Sequence, residues 1–223
     1  MIVAIDGPAG AGKSTVARAV ARRLGLAYLD TGAMYRGLTW LALQRDVDPS
    51  DGPALAALAR DVPMTIEPTG DGDRVRVDGQ DVTEAIRLPE VSGRVSEVSA
   101  HPGVRDEMVA AQRALLSRGG WVSDGRDVGT VVCPGADLKV FLTANLEERA
   151  HRRRVELARR GVEADEATVI EDVRRRDHLD TTRDTSPLRV APGAVVIDSS
   201  EMQADEVVEQ VVRLVEALRA ASA

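Results

Sequence analysis

The stretch Gly7-Pro8-Ala9-Gly10-Ala11-Gly12-Lys13-Ser14 decides how this chain is read. It fits the pattern G-x-x-x-x-G-K-[ST], which average composition yields by chance in roughly one chain in a hundred of this length. Its flanks sharpen it. The apolar run 2–5 precedes it. Residues 13–24 follow with Val16, Val20 and Leu24 at four-residue spacing and stop at Gly25, a favoured residue just past a helix end. A buried strand, a glycine-rich turn and a helix, in that order, make the phosphate cradle of a P-loop. Backbone N–H groups there close on phosphate oxygens, and the helix N-terminus adds partial positive charge. Lys13 supplies a compact charge for the β- and γ-phosphates, and Ser14 a hydroxyl for Mg²⁺. Among 29 basic residues only Lys13 and Lys139 are lysines, so the chain keeps lysine where arginine's planar fork would serve poorly.

Outward from this loop, apolar runs at 27–29, 121–123, 138–142 and 194–197 read as further buried strands. Each is continuous rather than alternating, as expected where helices cover both faces of a parallel sheet. Residues 145–160 begin with Asn145 and Glu148 in capping-box positions, and 200–220 with Ser200 and Gln203 in the same relation. The expected fold is α/β: a five-stranded parallel P-loop core with helices on both faces. Residues 64–67 and 74–77 break the pattern. They alternate apolar and polar, flank the turn-rich 68–73 and lead into Asp78-Gly79, which reads as a small antiparallel sheet with one wet face. The expected division is a core of 1–46 and 119–223, with a helical lid at about 149–183, and an insertion at 47–118.

Composition excludes other classes. The net charge is -7, the wrong sign for a protein that grips a duplex backbone. Two Trp, two Tyr and one Phe leave few stacking platforms for single-stranded nucleic acid. No run approaches 18 apolar residues, so no membrane span is expected. Met1 leads straight into an apolar run with no basic region before it, and a cytoplasmic chain is expected. One cysteine, Cys133, excludes a disulfide framework, and His101, His151 and His178 lack metal-ligand spacing.

A P-loop alone leaves the reaction open, and three further clusters bear on it. Asp30-Thr31-Gly32-Ala33-Met34-Tyr35-Arg36 follows the second strand at its carboxyl end, where ligands sit in open α/β sheets, with Thr31 placed to cap the next helix. Asp124-Gly125-Arg126-Asp127 follows the third strand at the same edge. Arg126 suits a phosphate clamp, Asp127 an amino group on a base, and Asp124 the orientation of metal-bound water. Residues 145–189 hold 11 Arg and 11 Asp plus Glu, a densely paired helical hairpin with Gly161 near its tip. An arginine-bearing lid of this kind excludes water and neutralises charge during phosphoryl transfer. These residues leave open a kinase for any small anionic acceptor. A nucleotide-driven switch, the non-enzyme alternative, needs no second anion site.

The segments IDGPAGAGKST, LDTGAMYR, VDGQDVTEAIR, EVSGRVSEVSAHPGVRDEM, DGRDVGTVVCPGADLKVFLTA, ERAHRRR and RRDHLDTTRDTSPL run nearly end to end. Together they resemble the bacterial cytidylate kinases, the CMP/dCMP kinases of the P-loop nucleoside monophosphate kinase group. DGRDVGTVV, the hairpin insert and the RD…D…R…PL segment carry the specificity of the match. The resemblance implies ATP held by Gly7, Pro8, Ala9, Gly10, Ala11, Gly12, Lys13, Ser14 and Thr15, with Arg149, Arg152 and Arg153 on the lid near its phosphates. It implies CMP held by Thr31, Tyr35, Arg36, Ser96, Arg105, Arg126, Asp127, Arg176, Asp180 and Arg183. Ser96 and Asp127 would read cytosine, and Arg176 and Asp180 the ribose. Lys13, Arg126, Arg176 and Arg183 would act on the transferring group, with Mg²⁺ at Ser14 and, through water, Asp124. Some members carry Ser where this chain has Thr31, so the hydroxyl is kept and a methyl added. A monomer is expected.

Overall fold

The computed structural model describes residues 1–69 and 72–221. Along the chain, β1 (Ile2–Asp6), α1 (Lys13–Leu24), β2 (Ala27–Asp30) and α2 (Thr31–Gln44) open the fold. Helix α3 (Gly52–Asp61), strands β3 (Met64–Thr69), β4 (Gly72–Val77) and β5 (Gln80–Asp81), and helices α4 (Pro89–Val98) and α5 (Pro102–Leu116) follow. Then come β6 (Trp121–Gly125), β7 (Leu138–Thr143), α6 (Leu146–Arg159), α7 (Glu166–Thr182), β8 (Val195–Asp198) and α8 (Ala204–Ala221).

The five expected apolar runs pair as one parallel sheet in the order β2-β6-β1-β7-β8. Strand β1 is central because Val3, Ala4 and Ile5 are all apolar and fully buried, so both faces need a helical cover. On one face Val207, Val211 and Val215 of α8 form a stripe at four-residue spacing that meets Val16 and Val20 of α1 over Ile5, Val122 and Val140. On the other face Met34 and Leu38 of α2 and Val104 and Met108 of α5 pack over Ala4 and Leu29, together with Leu55 of α3 and Val95 of α4. The segment between β2 and β6 thus shares its apolar core with the sheet. The strand order turns at β1, whose neighbours β6 and β7 diverge to opposite sides, and such a switch point opens a crevice at the carboxyl ends of the strands.

Strands β3, β4 and β5 form the small antiparallel sheet. Val75 and Val77 are buried while Arg74 is exposed, which is the single wet face expected of the alternation. Asp78 and Gly79 both take positive φ, 52° and 77°, and join β4 to β5, as a two-residue hairpin turn requires. Part of the expected turn at 68–73, residues 70 and 71, lies outside the described residues.

Two caps differ from expectation. Asp30, not Thr31, caps α2, its carboxylate accepting from the Ala33 N–H at 2.8 Å. Thr31 is already helical, and its hydroxyl is spent on the Asp124 carbonyl at 2.7 Å. At α8 the helix begins at Ala204, and the Glu206 carboxylate accepts from the Gln203 N–H at 2.8 Å. Ser200 instead joins a turn on Asp198 and accepts from the Asn145 N–H at 2.8 Å. That N–H is therefore unavailable to Glu148, so only half of the box at Asn145 forms, the Glu148 N–H donating to Asn145 Oδ1 at 2.8 Å.

Candidate active site

The P-loop leaves β1 and wraps the N-terminus of α1. Gly10 sits at φ 76°, and a Cβ there would lie 2.6 Å from the Arg149 backbone oxygen, so no side chain fits where the loop meets α6. Lys13 is buried and its ammonium donates to the Pro8 carbonyl at 2.8 Å. Burial, then the Arg126 charge, push its pKa down to about 7 against the opposing pull of Asp124, Asp180 and Asp6. Ser14 Oγ donates to Asp124 Oδ2 at 2.9 Å, and the Tyr28 hydroxyl to Asp124 Oδ1 at 2.7 Å. Burial and the nearby Asp30 carboxylate raise Asp124 to about 6, against Lys13. Burial and then Asp124 push the Tyr28 phenol upward, which keeps it a donor.

Two arginines of α6 rest on the loop. Arg149 donates to the Ala9 carbonyl at 3.1 Å and pairs with Asp177 of α7 at 2.5 Å, and Asp177 also accepts from the Ala9 N–H at 3.4 Å. Arg152 reaches the Ala11 carbonyl at 3.4 Å and is held by Glu148 and by Ser199. Arg153 has no such contact with the loop; it pairs with Glu156 at 3.0 Å, and its charge bears on Arg176.

Across the sheet edge lies a cavity lined by Thr31, Tyr35, Arg36, Ser96, Arg105, Arg126, Asp127, Arg176, Asp180 and Arg183, all ten residues named for the acceptor. They come from α2, α4, α5, the turn after β6, α7 and the chain just past it. Each cation but one is set against a carboxylate. Arg36 meets Asp30 at 2.8 Å, Arg105 meets Asp127 at 2.6 Å, and Arg126 meets Asp180 at 2.7 Å. Arg183 stands 3.8 Å from the other oxygen of Asp180. Burial would raise Asp180 and Asp30, but the arginines beside them hold both below the ordinary carboxylate range. Arg176 is the exception, with a buried Nε that has no partner; burial and then Arg126 lower it to about 10. Nε of Arg36 and Nη2 of Arg183 are likewise buried and unpartnered. Such orphaned donors around a cavity call for an anion.

Gly32, Val95 and Ser99 line the same cavity without having been singled out in the sequence. Asp6, Tyr28 and Asp177 were missed as supports. Asp6 did carry a signal, since it ends the strand that feeds the loop. Tyr28 and Asp177 act across 96 and 168 residues, beyond the reach of any local pattern. The donors present would suit Mg²⁺: the Ser14 hydroxyl and the Asp124 carboxylate are hard oxygens side by side, and Mg²⁺ is commonly bound by one or two such groups plus substrate phosphates.

A phosphate loop at the switch point of a parallel sheet, facing an arginine-lined cavity across the same edge, defines a kinase of the P-loop class. A solved gluconokinase from Sinorhizobium meliloti 1021 shares the fold, with a TM-score of 0.50 at 16% identity over 99% of this chain and 97% of that one. The cytidylate kinase family model matches residues 3–217. A cytidylate kinase of Geobacillus kaustophilus is 52% identical over 96% of this chain and 95% of its own length. One from Bacillus licheniformis is 47% identical over 97% and 96%. The chain belongs to the cytidylate kinase family.

Proposed function

We propose that the chain transfers the γ-phosphoryl group of ATP to CMP and dCMP, giving ADP and CDP or dCDP. The observation that carries this is the cavity itself, in which the orphaned arginine donors and the base-reading pair Ser96 and Asp127 face the P-loop across one sheet edge. The family membership supports cytosine as the base.

Little covalent chemistry is asked of the protein. A phosphate oxygen of the acceptor is already a nucleophile, so no general base is required, and catalysis is positioning plus charge stabilisation. Lys13 turns from the Pro8 carbonyl to the β- and γ-phosphates, and the loop N–H groups hold the chain of phosphates. Arg126, Arg176 and Arg183 meet the charge that spreads over the transferring group. Arg36 and Arg105 grip the acceptor phosphate. Asp127 and Ser96 bond the cytosine edge, and Arg176 with Asp180 the sugar. Ser14 and Asp124 would hold Mg²⁺, which would supply charge neutralisation at the phosphates. Residues 47–118 serve as the acceptor-binding insertion and about 149–183 as the lid, whose Arg149, Arg152 and Arg153 stand near the ATP phosphates. One chain supplies both pockets, which fits a monomer, and among the described residues no helix is long and apolar enough to cross a membrane. A cytoplasmic enzyme is the reading that suits its substrates.

The test is a coupled assay of ADP release with a panel of acceptors. CMP and dCMP should give the highest kcat/KM. A higher value for AMP, GMP or a non-nucleotide acid overturns the acceptor assignment, and ADP release indifferent to any acceptor overturns the kinase.

A further inference from the structure

We infer that Asp6 is a positioning residue for the acceptor site, holding both ends of the Arg126-Asp127 dipeptide. Asp6 is the last residue of β1, directly before Gly7. Its backbone pairs with β6 in register with Gly125. Its side chain reaches on past that point: Oδ1 accepts from the Val128 N–H at 2.9 Å and Oδ2 from the Gly129 N–H at 2.7 Å. Between Gly125 and Val128 lie only Arg126 and Asp127, which make the contacts with Asp180 and Arg105. One residue thus fixes the entry and the exit of the two-residue turn that faces the acceptor. The two N–H groups open the π-helical turn Val128–Val132 and would be unpaired without it.

The chemistry requires a carboxylate. The two N–H groups fall on separate oxygens; an amide keeps one of these and turns its NH₂ against the other donor. Asp6 is buried, and burial raises its pKa to about 6, a cost that the fold bears at this position. Gly129 allows the close approach: a Cβ there would lie 3.3 Å from Asp6 Oδ2 and 3.3 Å from the Ala191 Cβ. The backbone of Asp6 serves the donor loop and its side chain the acceptor turn, so a side-chain change separates the two.

This inference rests on the acceptor reading given above. The test is Asp6→Asn in the full chain, titrated calorimetrically with CMP and, separately, with ATP. The CMP Kd should rise about 10-fold or more, the range for removing a group that orients a binding residue, with ATP affinity within about threefold. Unchanged CMP affinity, or equal losses for both nucleotides in step with a lower Tm, overturns it. If Asp6→Asn does not fold, Gly129→Ala presses on the same carboxylate and should weaken CMP in the same direction by less; no change there overturns it equally. Hydrogen exchange at the Val128 and Gly129 amides reads the clamp without nucleotide. Both should be protected in the parent chain, at least one should open in Asp6→Asn, where a single acceptor oxygen remains, and Val128 should open in Gly129→Ala; retained protection of both overturns the inference. A parent chain that ignores CMP refutes the acceptor reading, while this exchange result still stands or falls alone.

Discussion

On the proposed reading, phosphate in the P-loop is met by backbone N–H groups and one lysine contributed by nine consecutive residues. In the cavity opposite, it is to be met by five arginines drawn from α2, α5, the turn after β6, α7 and the chain beyond it. The two pockets also treat charge differently before any ligand arrives. Four of the five arginines are already set against carboxylates, and their partners Asp30 and Asp180 are held in the ionised form. Among the described residues Lys13 has only the Pro8 carbonyl within hydrogen-bond reach, and its ammonium is disfavoured. The acceptor pocket is compensated from within, while the donor pocket awaits its compensation from the triphosphate.

The largest effect should come from the donor side. Lys13→Ala should lower kcat by about 10³, the scale for removing one charge-stabilising group, with the melting temperature equal to or above that of the parent. A variant that turns over normally, or that melts far lower, would erase the contrast, because the lysine would then be compensated like the arginines. Arg183→Ala comes next. Its unpartnered Nη2 faces charge that grows along the reaction, so kcat should fall about 10²-fold and the acceptor KM much less. A pure KM effect would mark it as an anchor for the bound acceptor.

Asp127→Ala should be costly in a different measure. It leaves the fully buried Arg105 without its partner at 2.6 Å, a loss of about 3–5 kcal/mol of stability, and it should lower the preference for CMP over AMP about tenfold or more. Chemical denaturation and the acceptor panel check the two effects separately. Preference retained with stability lost would make Asp127 a partner of Arg105 alone.

The smallest effect is a proton. With a pKa of about 7, Lys13 is largely neutral at pH 8 and becomes charged when phosphates surround it. ATP binding at pH 8 should therefore take up a proton, less than one per site. The uptake shrinks toward pH 6, where the lysine is already charged. Calorimetry in buffers of different ionisation enthalpy measures it, and Lys13→Ala should abolish it. In the same apo protein Asp6 titrates higher folded than unfolded, so its contribution to stability is lost as pH rises from about 4 to about 6, and Asp6→Asn should flatten that slope.

The same contrast explains what could be read from the sequence. The cradle was legible because its chemistry is local: strand, glycines, lysine and hydroxyl lie within 15 residues, and the parallel strands announce themselves as continuous apolar runs. Arg126 and Asp127 were read from their turn at the sheet edge, but Ser96, Arg105, Arg176, Asp180 and Arg183 were named by resemblance, since no spacing rule brings Arg105 of α5 to Asp127 or Arg126 to Asp180 of α7. Caps were ambiguous wherever two capable residues adjoin, as Asp30 and Thr31 do. Their roles were settled by the Asp124 carbonyl, 93 residues from Thr31, which claims the threonine hydroxyl. The Asp6 clamp was hidden for the same reason, its N–H partners lying 122 and 123 residues away.

The apolar face that α3, α4 and α5 share with Ala4, Leu29 and Val128 has an evolutionary and engineering consequence. The stretch between β2 and β6 is not a cassette. Exchanging it for that of another kinase to change the acceptor would strip one side of the central sheet, so new specificity has to be grafted side chain by side chain onto the existing helices.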